Sequence, residues 1–131
     1  MVDVCFYKDK EKRTLNPALF STNAEDLAKE ISTRGKTNKS NKRTQIRKFY
    51  DEVQRLNGLA KTNPNDWDNI LPYVNMLIAK VTYAEGRKLV TEEFVSFIRN
   101  CVGQIKIRED LDVFANFFEA FMGFYRKYGE S

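Results

Sequence analysis

Seven basic side chains, Arg34, Lys36, Lys39, Lys42, Arg43, Arg47 and Lys48, lie between Ile31 and Tyr50 with no acidic residue among them. Asn, Ser, Thr and Gln fill most of the gaps, and no apolar residue intervenes between Arg34 and Ile46. This is the composition of a segment that binds a polyanion, with cations for phosphates and short polar side chains for hydrogen bonds to phosphate and sugar. The whole chain holds 22 Lys and Arg against 18 Asp and Glu, so outside this stretch it is net negative and the positive charge is local. A basic run can equally be a solvated connection without a partner. What distinguishes this one is that its second half enters an amphipathic helix.

From about Thr44 to Ala60, the residues Ile46, Phe49, Tyr50, Val53, Leu56 and Ala60 recur at helical spacing and define one buried stripe. If the first turn includes Arg43, then Arg43 and Arg47, four apart, stack one turn, about 5.4 Å, along its flank. Lys48 and Arg55 lie on the opposite, exposed side. Further on, Met76, Lys80, Tyr83 and Arg87 share one helical face, so two cations and an aromatic ring line up if that helix passes through Gly86. Ordinary surface charges beside a rim tyrosine would give the same pattern.

Catalytic chemistry lacks its parts. The chain has no histidine, which removes the commonest general base, the usual partner of a Ser or Cys nucleophile and the commonest metal ligand. No phosphate-loop, dinucleotide, zincin or serine-hydrolase motif is present. The carboxylate pairs Asp66/Asp68, Glu92/Glu93 and Asp110/Asp112 fall at turns and first helical turns, where capping explains them, and no loop offers the oxygen ligands of a calcium site. No catalytic residue, metal or cofactor is expected. Cys5 and Cys101 are far apart and form no CxxC pair, which fits a reduced setting with Cys101 as a small core residue. With no leader-like N-terminus and no apolar run of about 18 residues, the expectation is a cytoplasmic protein without a membrane anchor.

Ten Phe, six Tyr and one Trp with six Gly and three Pro in 131 residues argue for a packed helical chain. The expected fold is all-α, a compact bundle of about five helices. Residues 1–20 read as an N-terminal arm and 21–131 as a single helical domain. Within it, Thr22 to Glu25 has the spacing of a capping box opening a short helix that stops near Gly35, and 34–43 forms a basic linker to the second helix. The third helix starts near Asn69 or Ile70 with Pro72 in its first turn, the fourth is capped by Thr91, and the last runs from about Asp110 to Tyr128. Its wide aromatic stripe, Leu111, Phe114, Phe117, Phe118, Phe121, Met122 and Tyr125, is core by preference, with a partner chain as the alternative.

The segments Gln45 to Val53 (QIRKFYDEV), Ile70-Leu71-Pro72 and Met76 to Arg87 (MLIAKVTYAEGR), closed by Phe117 to Phe121 and Tyr125, resemble in order and spacing the small subunit of the type III-A CRISPR effector (Csm) complex. The resemblance covers about Thr44 to Tyr128 and leaves Met1 to Ser40 outside. It implies a helical subunit without an active site, several copies of which stack in a row along crRNA and target RNA, beside backbone subunits and a large Cas10-type subunit that carry the nuclease and cyclase activities. Such a subunit contacts backbone and shape while base pairing reads sequence. It further implies Arg47, Lys48, Lys80, Tyr83 and Arg87 as RNA-facing positions; Lys39, Lys42 and Arg43 join them on charge and adjacency. The competing expectation is a protein-interaction subunit whose basic patch meets acidic partners and whose Phe114 to Tyr125 stripe seats on a neighbour. A DNA-binding helix-turn-helix would require a shorter turn than the nine or so residues between Gly35 and Thr44.

Overall fold

Helical spacing of apolar residues is realised in five α-helices of the computed structural model, which describes residues 3–130. They are α1 (Ala24–Asn38), α2 (Arg43–Thr62), α3 (Trp67–Gly86), α4 (Glu92–Gly103) and α5 (Arg108–Tyr128). A short antiparallel hairpin, β1 (Tyr7–Asp9) and β2 (Thr14–Leu15), and a π-helical turn, Leu19–Asn23, precede them. Helix α5 packs on α1 and α2, α2 on α3, and α3 on α4. The bundle expected from the sequence is therefore present, with the hairpin as an addition that no periodicity announces.

Helix α4 completes the core through its rings. Phe97 lies with its centroid 5.3 to 6.0 Å from those of Phe114, Phe117, Phe118 and Phe121, and Phe94 reaches Phe49 of α2. Mostly edge-on or tilted contacts of this kind contribute roughly 0.5 to 1.5 kcal/mol each beyond the burial of apolar area. Phe114, Phe117, Phe118, Phe121 and Tyr125 are all buried, so the aromatic stripe of α5 is core. The alternative in which it seats the chain on a neighbour is corrected by that burial.

Three boundaries differ from expectation. Helix α1 does not stop at Gly35 but continues to Asn38, ending at Lys39 in the left-handed region (φ 55°). Gly35 serves another purpose: a Cβ there would lie 2.5 Å from the Ser40 carbonyl oxygen, so the missing side chain lets the chain reverse tightly onto α1. The connection is then only Lys39 to Lys42, and Arg34 to Asn38 of the expected linker are helical. Thr22 forms no capping box; the π-helical turn runs into α1, and Asn23 caps nothing with its side chain. Helix α3 begins at Trp67, directly after a 3-10 turn at Pro64–Asp66, so Pro72 sits in its second turn and costs one helical hydrogen bond.

The N-terminal segment is held by long-range polar contacts rather than left as a tail. Gln104 accepts from the Phe6 N–H and donates to the Val4 carbonyl, while Val4, Phe6 and Leu19 are buried. Asp110, 3 % exposed, accepts from the Tyr7 hydroxyl (2.6 Å), an Arg13 guanidinium N–H (2.9 Å) and the backbone N–H groups of Lys106 and Ile107. Burial pushes its carboxyl pKa up, but those hydrogen bonds outweigh burial and hold it below the usual carboxylate range.

Candidate nucleic-acid interface

The polar hinge beneath the basic residues is Asn41. It is 1 % exposed with φ 56°. Its amide donates to the Ile31 carbonyl and to the Thr91 hydroxyl, and its Oδ1 accepts from the Thr91 N–H. Its backbone bonds Leu89 and receives the Tyr125 hydroxyl. Thr91 is thus the residue before α4, as expected, but its side chain is used by Asn41 rather than as a helix cap. The α1–α2 and α3–α4 connections are locked together, which fixes the N-terminus of α2 beside the C-terminus of α3.

Lys39 precedes this hinge at the end of α1, and Lys42, Arg43, Arg47 and Lys48 follow it onto the first turns of α2. That end of α2 has no acidic residue in its first turn and no side-chain cap. Cations oppose the positive end of a helix dipole, so the arrangement is locally unfavourable for α2 by itself. Helix α3 runs antiparallel to α2: Glu52 of α2 meets Lys80 of α3 at 3.1 Å, and Leu56 and Leu59 line a groove with Ile70 and Tyr73. The turn of α2 that carries Lys48 consequently runs beside the turn of α3 that carries Tyr83, with Arg87 following at the helix end. Helix α3 includes Gly86 and ends there, so Arg87 is its C-cap, with its N–H still donating to the Tyr83 carbonyl at 3.1 Å.

The expected residues differ in how free they are. Lys80 is engaged by Glu52, which also takes a bidentate hydrogen bond from Arg55 (2.8 and 2.9 Å). Those Arg55 bonds first, then Lys80, outweigh burial and hold the Glu52 carboxyl at about 2, well below the ordinary 4.5. Lys42 pairs with Glu130 at 3.0 Å. Arg47 meets Asp51 at 3.9 Å, an exposed pair worth little in water. Tyr83 is 66 % exposed, and the Arg87 guanidinium lies over its ring at 5.9 Å. Lys48, Tyr83 and Arg87 form the open part of the face. Leu59, Tyr73 and Met76 add an exposed apolar border lower on α2 and α3.

Glu52 gives a pH signature. Its folded-state pKa lies below its ordinary value, so the ionised carboxylate stabilises the fold above about pH 4.5, and this contribution disappears as the pH falls toward 2. Acid unfolding should therefore steepen over that window in the native chain, and Glu52→Gln should flatten the dependence there. Equilibrium denaturation at pH 2 to 6 measures both; equal slopes would show that Glu52 carries no such linkage.

Two basic groups at this face were not singled out from the sequence. Arg126 of α5 comes to the flank of α2, where the Arg43 guanidinium donates to its carbonyl at 3.0 Å. Arg55 reads in the sequence as an exposed cation and is the main partner of Glu52. Arg126 reads in the sequence as a cation in a last helical turn, and only the pairing of α5 with α2 places it here. Among the described residues, no group of three or more His, Cys, Asp or Glu is arranged to hold a metal, and no helix is long and apolar enough to cross a membrane.

A family model described as Csm2 Type III-A matches residues 15–131. Comparison with curated proteins and with solved structures finds no match.

Proposed function

The chain belongs to the Csm2 Type III-A family and is a subunit of a type III-A CRISPR complex, and from that premise we propose that it is a non-catalytic RNA-binding scaffold that grips the backbone of the crRNA and target RNA without reading sequence. The observation that carries this reading is the face built by the antiparallel start of α2 and end of α3. There Lys48, Tyr83 and Arg87 are open, with Lys39, Lys42, Arg43 and Arg47 around the same end and Lys80 as a cation shared with Glu52. Cations served by a stackable ring suit phosphates and an adjacent base or sugar and leave no pocket for a specific base edge. The apolar border of Leu59, Tyr73 and Met76 favours a protein neighbour beside the RNA, such as a further copy in the row or a subunit next to the Cas10-type protein.

A helix-turn-helix reading loses its objection from loop length, since the connection is four residues. Family membership now weighs against it instead.

RNA binding by the assembled complex, measured against salt with and without this subunit, tests the proposal. The slope of log K on log salt should steepen by roughly 0.7 for every phosphate the subunit neutralises. An unchanged slope would leave a protein-only role.

A further inference from the structure

Resting on the RNA reading above, we propose that the groove between α2 and α5 is a second phosphate seat, in which Arg126 acts with Arg43 and Arg47 to hold the RNA backbone on the side of α2 turned away from α3. The groove has a volume of about 240 Å³ and is lined by Arg43, Thr44, Arg47, Met122 and Arg126. It exists because α5 runs antiparallel to α2, with Arg43 donating to the Arg126 carbonyl at one end and Gln54 donating to the Ala115 carbonyl further down.

Two of the guanidiniums lining this groove are little engaged. Arg47 has only the exposed Asp51 at 3.9 Å, and the Arg126 guanidinium has no hydrogen-bond or ion-pair partner among the described residues. Glu130, the nearby carboxylate, is taken by Lys42. The Arg47 and Arg126 guanidiniums on one concave surface repel one another, and an entering anion relieves that repulsion. A cation at the C-terminal end of α5 would also suit that helix dipole. Arg43 already donates to a last-turn carbonyl of α5, however, so the dipole alone does not require Arg126 as well.

The planar fork of a guanidinium matches two phosphate oxygens, and the exposed Thr44 hydroxyl adds a donor beside it. Successive residues of a helix point about 100° apart, so Arg47 faces the α5 side of α2 while Lys48 faces the α3 side. A strand crossing the start of α2 would then be held from both flanks, which a chain of connected phosphates can satisfy and a single free anion cannot.

The test uses the full chain and a labelled single-stranded RNA of about 20 nucleotides, with affinity followed across chloride concentrations for wild type, Arg126→Ala, Arg126→Lys and Arg87→Ala. Arg126 is exposed and its side chain holds nothing in place, so folding is not at risk. Expected are a loss of roughly fivefold in affinity and of about 0.7 in salt slope for Arg126→Ala, and a preserved slope with intermediate affinity for Arg126→Lys. If Arg126→Ala matches wild type while Arg87→Ala loses slope, the groove is not a seat but the RNA reading stands. If neither substitution changes binding, or wild type does not bind at low salt, the RNA reading fails and the groove with it. Replacing chloride by inorganic phosphate at equal ionic strength should leave the difference between wild type and Arg126→Ala intact; its disappearance would assign the groove to free phosphate and overturn the backbone assignment.

Discussion

Replacing Asn41 by alanine is expected to lower the unfolding free energy by about 3 kcal/mol, since it orphans the buried Thr91 N–H and places a residue with a Cβ and no compensating hydrogen bond in the left-handed region. For a chain of this size that corresponds to a fall in Tm of about 10 °C. Asn41→Gly separates the two causes, because glycine adopts φ 56° freely and yet supplies neither the amide bonds to Ile31 and Thr91 nor the acceptor for the Thr91 N–H. It should recover about 1 kcal/mol relative to alanine and no more. Urea unfolding of the three proteins measures this. A glycine variant as stable as the native chain would show that the hydrogen bonds contribute nothing net. Asn41 also joins the connections that set the start of α2 beside the end of α3, so both variants should weaken RNA binding at temperatures where the fold is still largely intact.

Arg47→Ala combined with Arg87→Ala is expected to reduce RNA affinity of the assembled complex by roughly 30-fold at moderate salt and the salt slope by about 1.4, one phosphate contact from each flank of the face. The two residues lie on α2 and just past the end of α3 and share no partner, so their effects should add on a logarithmic scale. Lys80→Ala should cost less than either, because Lys80 is shared with Glu52. The measurement is RNA retention by the complex across a salt series. Retention unchanged by the double substitution would remove these residues from the interface.

The reach of the sequence differs from element to element. Helices α2, α4 and α5 were legible to within a residue or two because their apolar residues repeat over three turns or more, a signal that survives local irregularity. The start of α3 was not, since Pro72 reads as a first-turn residue and the fold accepts it one turn later. The hairpin was hidden for a different reason. Its anchors, Gln104 and Asp110, lie about a hundred residues away in sequence, and nothing local to Val4, Phe6 or Tyr7 announces them. Gly35 reads locally as a helix stop, whereas its missing Cβ admits the returning chain.

The grouping of Arg43 to Lys48 with Lys80 to Arg87 could be read from charge and helical spacing together with the family resemblance, and the antiparallel contact of α2 with α3 brings the groups to one end. What could not be read was which cations are already neutralised. The pairs Lys80–Glu52 and Lys42–Glu130 are made across helices, as is the approach of Arg126 to Arg43, and tertiary pairing of that kind leaves no trace in local composition.

The central claim is that the face formed by α2 and α3 lies against RNA, and ultraviolet cross-linking of the assembled, RNA-loaded complex tests it most directly. Tyr83 is open beside Arg87, while Tyr50 is half-buried with its ring edge-on to Phe118 at 5.6 Å. An RNA adduct is expected on Tyr83 and none on Tyr50. An adduct-free Tyr83 in a complex whose other subunits cross-link normally would contradict it.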